Sequence, residues 1–349
     1  QWPFDVRKVM SGSSIIDLLV YQESCIRGRR VFLDFRKNPG GTGIDFDCLS
    51  KEAYDYLRKA EACFGTPIDR LRHMNTPAFN FYLDKGIDLR TEMLEVALSA
   101  QHNNGGLKVD EWWQTNIEGL FAVGEASGTH GVYRPGASAL NSGQVGAVRA
   151  AQYIAARRRG EPEEKLFDAC GQGIKEILCM ERGALGGQDD CLKESWQRIT
   201  RRMSRVGAAI RNVEDIRNTC RAIEKEMETF HDTVKIISRQ QLGWYFRLRE
   251  TLICQYVYLS AMEDYVNHGG LSRGSSMYTD SRGVLPAPSL PDRFRYRLDD
   301  GLHADEIQEV GYSQGKCSFY WRKVHPIPDI DDFFENVWRD RSEEHTSEL

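Results

Sequence analysis

The chain has 349 residues, enough for two or three separate cores. Its 46 basic and 51 acidic residues give a net charge of −5, which speaks against a nucleic-acid binder held by bulk charge. The nine cysteines are scattered without a C-x-x-C pair, which argues against a zinc site or iron–sulfur cluster and fits a reducing, cytoplasmic setting. No apolar run is long enough for a membrane span.

The elements separate into regions along the chain. In the first, Ser13 and Ser14 are N-cap candidates for an apolar helix through Ile26, closed by Gly28. Residues 31–35 read as a short strand and 38–43 as its loop, and 51–63 is amphipathic. Thr76-Pro77 opens a further helix that Gly86 ends. The second region carries His102-Asn-Asn-Gly-Gly106, then Gly119-Leu-Phe-Ala-Val-Gly-Glu125, expected as a short buried strand ending in an acid. A loop of small residues and a helix over 139–158 follow. The third region is helical, with periodic stretches over 213–237 and 242–266 and a stop at Gly269-Gly270. The fourth begins at the proline-containing linker 285–291, and its segments 294–298 and 318–324 are expected to pair as a hairpin. The chain opens on Gln1 in mid-pattern, so a natural N-terminus is expected upstream, and 342–349 reads as a non-native tail.

The densest motif runs Gly119-Leu-Phe-Ala-Val-Gly-Glu125-Ala-Ser-Gly-Thr-His130-Gly-Val-Tyr-Arg134-Pro-Gly136-Ala-Ser138-Ala-Leu140. A strand ending in Gly124-Glu125 puts a carboxylate at the edge where α/β sheets bind cofactors, able to accept from sugar or ribitol hydroxyls. The small residues after it let backbone approach a flat ligand. The N–H groups of a helix starting near Ser138 would favour negative charge.

This motif resembles the second FAD-contacting segment of the succinate dehydrogenase/fumarate reductase flavoprotein family, which carries G-L-(F/Y)-A-x-G-E and then H-G-A-N-R-L-G-G-N-S-L. His130, Gly131, Arg134, Gly136 and Leu140 sit at nearly the family spacing. The resemblance implies an α/β plus α architecture: part of a doubly wound FAD-binding domain, an α+β capping domain and a C-terminal helical domain. The divisions are then 1–92 (capping), 93–160 (FAD-binding), 161–284 (helical) and 285–341 (a small β-containing extension). It implies that Glu125 and Gly124 contact FAD and that Ser138, Ala139 and Leu140 touch the isoalloxazine ring through backbone. Arg134 would grip a substrate carboxylate with His130 beside it, and His102 is a further candidate. The reaction implied is hydride exchange between flavin N5 and a C–C or C–N bond of a small carboxylate. Relatives pair with an iron–sulfur subunit, so an electron-transfer partner is a second reading, and a non-enzymatic helical interaction module a third.

The sequence also departs from the family pattern. The G-x-G-x-x-G fingerprint is not in this chain, so this stretch alone is expected to bind FAD poorly. Aligned on Gly105-Gly106, Gln101 takes the place of the family's substrate-touching histidine and His102 falls one residue late. Ser14 stands where fumarate-reducing members place a proton-donating arginine, with Arg7 as a candidate substitute. Tyr133 and Pro135 replace the usual Asn and Leu. His73, His231, His268 and His303 read as solvated or capping residues. The Trp112-Trp113 and Trp244-Tyr245-Phe246 clusters read as packing or interface residues, and Asp189-Asp190 and Asp299-Asp300 as solvated turns.

Overall fold

The structure, a computed structural model, describes residues 4–10, 12–41, 43–99, 104–131, 134, 136–157, 166–187, 191–326 and 329. Gln101, His102, Tyr133, Pro135, Asp189, Asp190 and the tail 342–349 therefore lie outside the described residues. The chain divides into two units, one built on Lys8–Ser99 and the other on Ala100–Leu349 together with Asp5–Arg7.

In the first unit, helix α1 (Ser14–Tyr21) runs into a single π turn (Gln22–Ile26) ahead of Gly28. Ser13 holds the cap position, but its backbone is already helical and its hydroxyl makes no cap bond. A side-chain cap needs extended backbone there, so the expected serine cap is not formed. Strand β1 (Val31–Leu33) follows, then α2 (Lys51–Lys59), capped by Ser50 Oγ accepting from Ala53 N–H at 3.3 Å. Helix α3 (Pro67–Met74) starts on a capping box in which Asp69 accepts from Thr66 N–H at 2.9 Å. Helix α4 (Thr76–Asp84) begins at Thr76-Pro77 as the sequence predicts. Strand β2 (Leu94–Val96) pairs antiparallel with β1, placing Val31 opposite Val96 and Leu33 opposite Leu94. Ile68, Phe79 and Leu89 form the small core of this unit.

The second unit is mainly helical. Its elements are α5 (Ser138–Arg157), α6 (Leu166–Ala184), α7 (Cys191–Val206), β3 (Ile210–Arg211), α8 (Val213–Thr233), α9 (Leu242–Asn267), β4 (Met277–Val284), β5 (Glu306–Ser313) and β6 (Lys316–Lys323). Asn212 caps α8 by accepting from the N–H groups of Glu214 and Asp215, at 3.0 and 3.1 Å. One apolar stripe of α8 (Ile216, Ile223, Phe230) packs with Ile199 of α7 and with Leu248, Leu252 and Leu259 of α9. Each such side chain is almost fully buried, and removing one from water contributes roughly 1.5–3 kcal/mol.

The expected pairing of 294–298 with 318–324 does not occur. Strand β6 pairs with β5, with Val310 opposite Phe319 and Tyr312 opposite Cys317. Gln314 and Gly315 lie between them at φ of 49° and 79°, the left-handed conformation at both positions that a two-residue hairpin turn requires. The local turn thus decides the partner. Tyr296 instead bridges Thr279 and Val284 and buries its ring.

Candidate active site

The expected strand over 119–125 is not formed either. Among the described residues this segment joins none of the two-stranded sheets, and Phe121 makes one isolated bridge to Gln114. Leu120 and Val123 are 46% and 38% exposed, and only Ala122 of this segment is buried. A strand needs neighbours for its backbone groups, and this segment has one short neighbour. Glu125 therefore sits on a single 3-10 turn, Gly124–Ala126, exposed, with Gly124 in the left-handed region at φ 67°.

Two backbone segments run side by side just beyond this turn, in a parallel bridge of Leu107 with Ser127. Leu107 N–H donates to Ala126 O and Gly128 N–H donates to Leu107 O, both at 2.9 Å. A Cβ on Gly106 would meet Ala126 O at 2.6 Å, so only glycine permits so close an approach. The segment over 110–123 then lies along α5. Trp112 packs on Tyr153 with ring centroids 5.8 Å apart, and Arg149 lies 4.8 Å over its ring. The indole of Trp113 occupies the space where Gly146 of α5 has no side chain. These tryptophans are packing residues, as the sequence predicts.

The helix start is tied to the turn by hydroxyl groups. Ser127 Oγ donates to Gly124 O at 2.7 Å and lies 2.9 Å from Thr129 Oγ1, which lies 3.0 Å from Ser142 Oγ on α5. The sequence reading missed this chain of hydroxyls, although the serine and threonine spacing is there to be seen. Ser138 Oγ, at the start of α5, is buried without a hydrogen-bond partner among the described residues. Leu140 N–H donates to Ala137 O at 3.1 Å, which leaves Ser138 and Ala139 as the first-turn donors, and the Leu140 side chain is 74% exposed. His130 is buried in the loop between the turn and Arg134.

Arg134 is half-buried and neutral groups hold it. Its Nη1 donates to Asn104 Oδ1 at 2.6 Å and to Gly131 O at 2.7 Å. Asn104 is a site residue that the sequence reading missed, although it directly precedes the Gly105-Gly106 pair. Arg7 is engaged elsewhere, with its guanidinium forked onto the Asp5 carboxylate at 2.6 Å. Ser14 is buried at the start of α1. Lys108 pairs with Glu309 of β5 at 2.7 Å. Burial pulls Glu309 upward, but the Arg322 guanidinium and the Lys108 ammonium hold its carboxyl below its ordinary value.

These residues fit the FAD that the motif leads one to expect. A buried Ser138 hydroxyl with no partner among the described residues suits a polar ligand edge. Nothing lies within 4 Å of where a Cβ on Gly124 would stand, so the turn is open on that side. Among the described residues no group of His, Cys, Asp and Glu is arranged to hold a metal ion, and no helix is long and apolar enough to cross a membrane.

Known proteins resemble parts of the chain. The FAD binding domain family matches residues 27–140. A fumarate reductase (CoM/CoB) subunit of Methanothermobacter marburgensis is 50% identical over 70 residues, 20% of this chain and 13% of that protein. L-aspartate oxidase of Pyrococcus furiosus is 27% identical over 148 residues, 40% of this chain and 32% of that protein. A solved quinol–fumarate reductase with menaquinol molecules superposes with a TM-score of 0.60 at 17% identity, covering 89% of this chain and 48% of that one. At that identity the likeness is one of fold. The chain thus spans about a third or less of these curated relatives and about half of the solved chain.

Proposed function

We propose that this chain, which belongs to the succinate dehydrogenase/fumarate reductase flavoprotein family, carries the substrate-facing part of an FAD-dependent oxidoreductase acting on a small carboxylate. The observation that carries this reading is the setting of Arg134. Its guanidinium commits Nη1 to two neutral oxygens, and among the described residues no carboxylate pairs with it. A half-buried cation without a counter-charge favours an anionic ligand, and a guanidinium offers a carboxylate two parallel charge-assisted bonds.

Bound FAD would supply the two-electron hydride chemistry. The chain's own residues do the rest. Glu125 accepts hydrogen bonds from cofactor hydroxyls. Ser138 and Ala139 would offer first-turn N–H groups to the bound flavin, where a helix start favours negative charge. Arg134 holds and orients the substrate carboxylate, with His130 as its neighbour and His102 as a further candidate. The relatives bear the names of a fumarate reductase and of an L-aspartate oxidase, which supports a dicarboxylate-sized substrate reacting at a C–C or C–N bond. Ser14, which offers no arginine for proton delivery, favours the C–N alternative.

The test uses the full-length protein, purified and reduced without oxygen, then given fumarate, while the oxidised protein is given L-aspartate. Return of the oxidised flavin bands, or their bleaching, supports the reading. Arg134→Ala then raises KM roughly a hundredfold with FAD retained. A yellow protein blind to both compounds refutes the carboxylate substrate, and a colourless protein refutes the flavin. A second reading, a flavoprotein component of an electron-transfer complex, is favoured by the M. marburgensis relative, which is named as one subunit of a larger enzyme. Copurification with an iron–sulfur protein at native expression supports it, and a monomer reduced by soluble donors alone counts against it.

A further inference from the structure

We infer that Asn104 is the residue that positions Arg134 for carboxylate binding, and that its neutrality is what keeps the arginine's charge available. The inference rests on the carboxylate reading of Arg134 given above. Arg134 and Asn104 stand 30 positions apart and meet at 2.6 Å. A guanidinium only donates, so the contact fixes the Asn104 amide with Oδ1 toward the arginine. Gly131 O takes a second bond from the same nitrogen. The two bonds use both hydrogens of Nη1, and among the described residues no acceptor takes Nε or Nη2. Those two atoms form one edge of the guanidinium, the edge that matches a carboxylate side-on.

The loop that brings Asn104 there is held firmly. Two residues on, Gly106 lies against the Ala126–Gly128 backbone too closely for any side chain, and Leu107 bonds that backbone through both its N–H and its carbonyl. Asn104 is thus anchored to the same loop that leads from Glu125 to Arg134. An aspartate at this place would hold Arg134 equally well in shape. It would also cancel the charge, and the site would then attract an anion weakly. A neutral acceptor is the choice that orients the cation without neutralising it.

The experiment uses the full-length FAD-loaded protein and malonate, an unreactive dicarboxylate, with the shift of the oxidised flavin spectrum as the binding readout. Asn104→Ala is expected to weaken malonate roughly tenfold, the worth of one hydrogen bond to a charged group. Asn104→Asp is expected to weaken it roughly a hundredfold or more, through added charge cancellation. Asn104→Ser, which keeps a neutral oxygen, falls between alanine and wild type. FAD content stays at the wild-type level in all three, and KM rises more than kcat falls. The inference is overturned if the aspartate variant binds malonate as tightly as the alanine variant, or if alanine matches wild type. A wild-type protein that ignores malonate removes the carboxylate reading itself, so the two failures are told apart.

Discussion

Ala137 stands in the left-handed region at φ 64°, one residue before α5 begins. An L side chain there costs about 1–2 kcal/mol, because Cβ crowds the following carbonyl oxygen. The related family pattern carries glycine at this place, and the backbone of this chain shows why. Ala137→Gly removes the strain and loses about half of that gain through the freer unfolded chain. A net gain of about 0.5–1 kcal/mol is expected, seen as a higher midpoint in urea with FAD content unchanged. No gain would mean that the surrounding bonds hold this turn regardless of the residue. Arg134 and Asn104 belong to the same scale. The sequence marks the arginine because a motif surrounds it. It does not mark the asparagine, because nothing local announces a contact 30 residues away.

At the scale of elements, the β5–β6 hairpin is held to α9 by a histidine. His303 Nε2 donates to His268 O at the end of α9 at 2.9 Å, and Nδ1 meets Glu306 at 2.7 Å. Both ring nitrogens face acceptors, so the protonated ring satisfies both. Trp321 lies with its ring centroid 4.4 Å from that of His303, and its indole N–H donates to Asp264 at 3.0 Å. The Glu306 carboxylate and the His268 carbonyl raise the His303 pKa against the pull of burial. A raised folded pKa stabilises fully below the unfolded value of roughly 6.5 and is lost as pH climbs through the folded value. The hairpin is therefore expected to loosen from near neutral pH upward, seen as faster amide exchange in β5 and β6. His303→Gln should flatten that dependence. A wild-type hairpin whose exchange, corrected for the intrinsic pH effect, is constant from pH 6 to 9 would exclude the clamp. The sequence reads His303 as solvated or capping; in the structure it caps α9 from outside the helix while being largely buried.

Across the molecule, stability of the helical unit rests on the seam among α7, α8 and α9. Ile223 is fully buried at the centre of that seam. Ile223→Ala is expected to cost about 2–5 kcal/mol, the lost transfer of its methyl groups plus the cavity left behind. The loss should appear in denaturation followed by the fluorescence of Trp196 and Trp244, whose rings pack edge-to-face at 5.7 Å in the same unit. An unchanged midpoint would mean that the seam closes over the cavity. The first unit, with its own small core of Ile68, Phe79 and Leu89, should keep its midpoint.

The sequence by itself determined the long helices α8 and α9, the start of α4 at Thr76-Pro77 and the motif that names the family. These signals are local: apolar periodicity, capping residues and a run of small residues at fixed spacing. Only the tertiary structure decided that 119–125 would not be a strand and that Asn104 would meet Arg134. Each depends on which neighbour supplies hydrogen bonds or cover, and such a neighbour lies outside any short window of sequence. The turn at Gln314-Gly315 marks the boundary between the two cases. Its glycine is readable locally, but its victory over the competing pairing follows from the backbone twist that the two strands share.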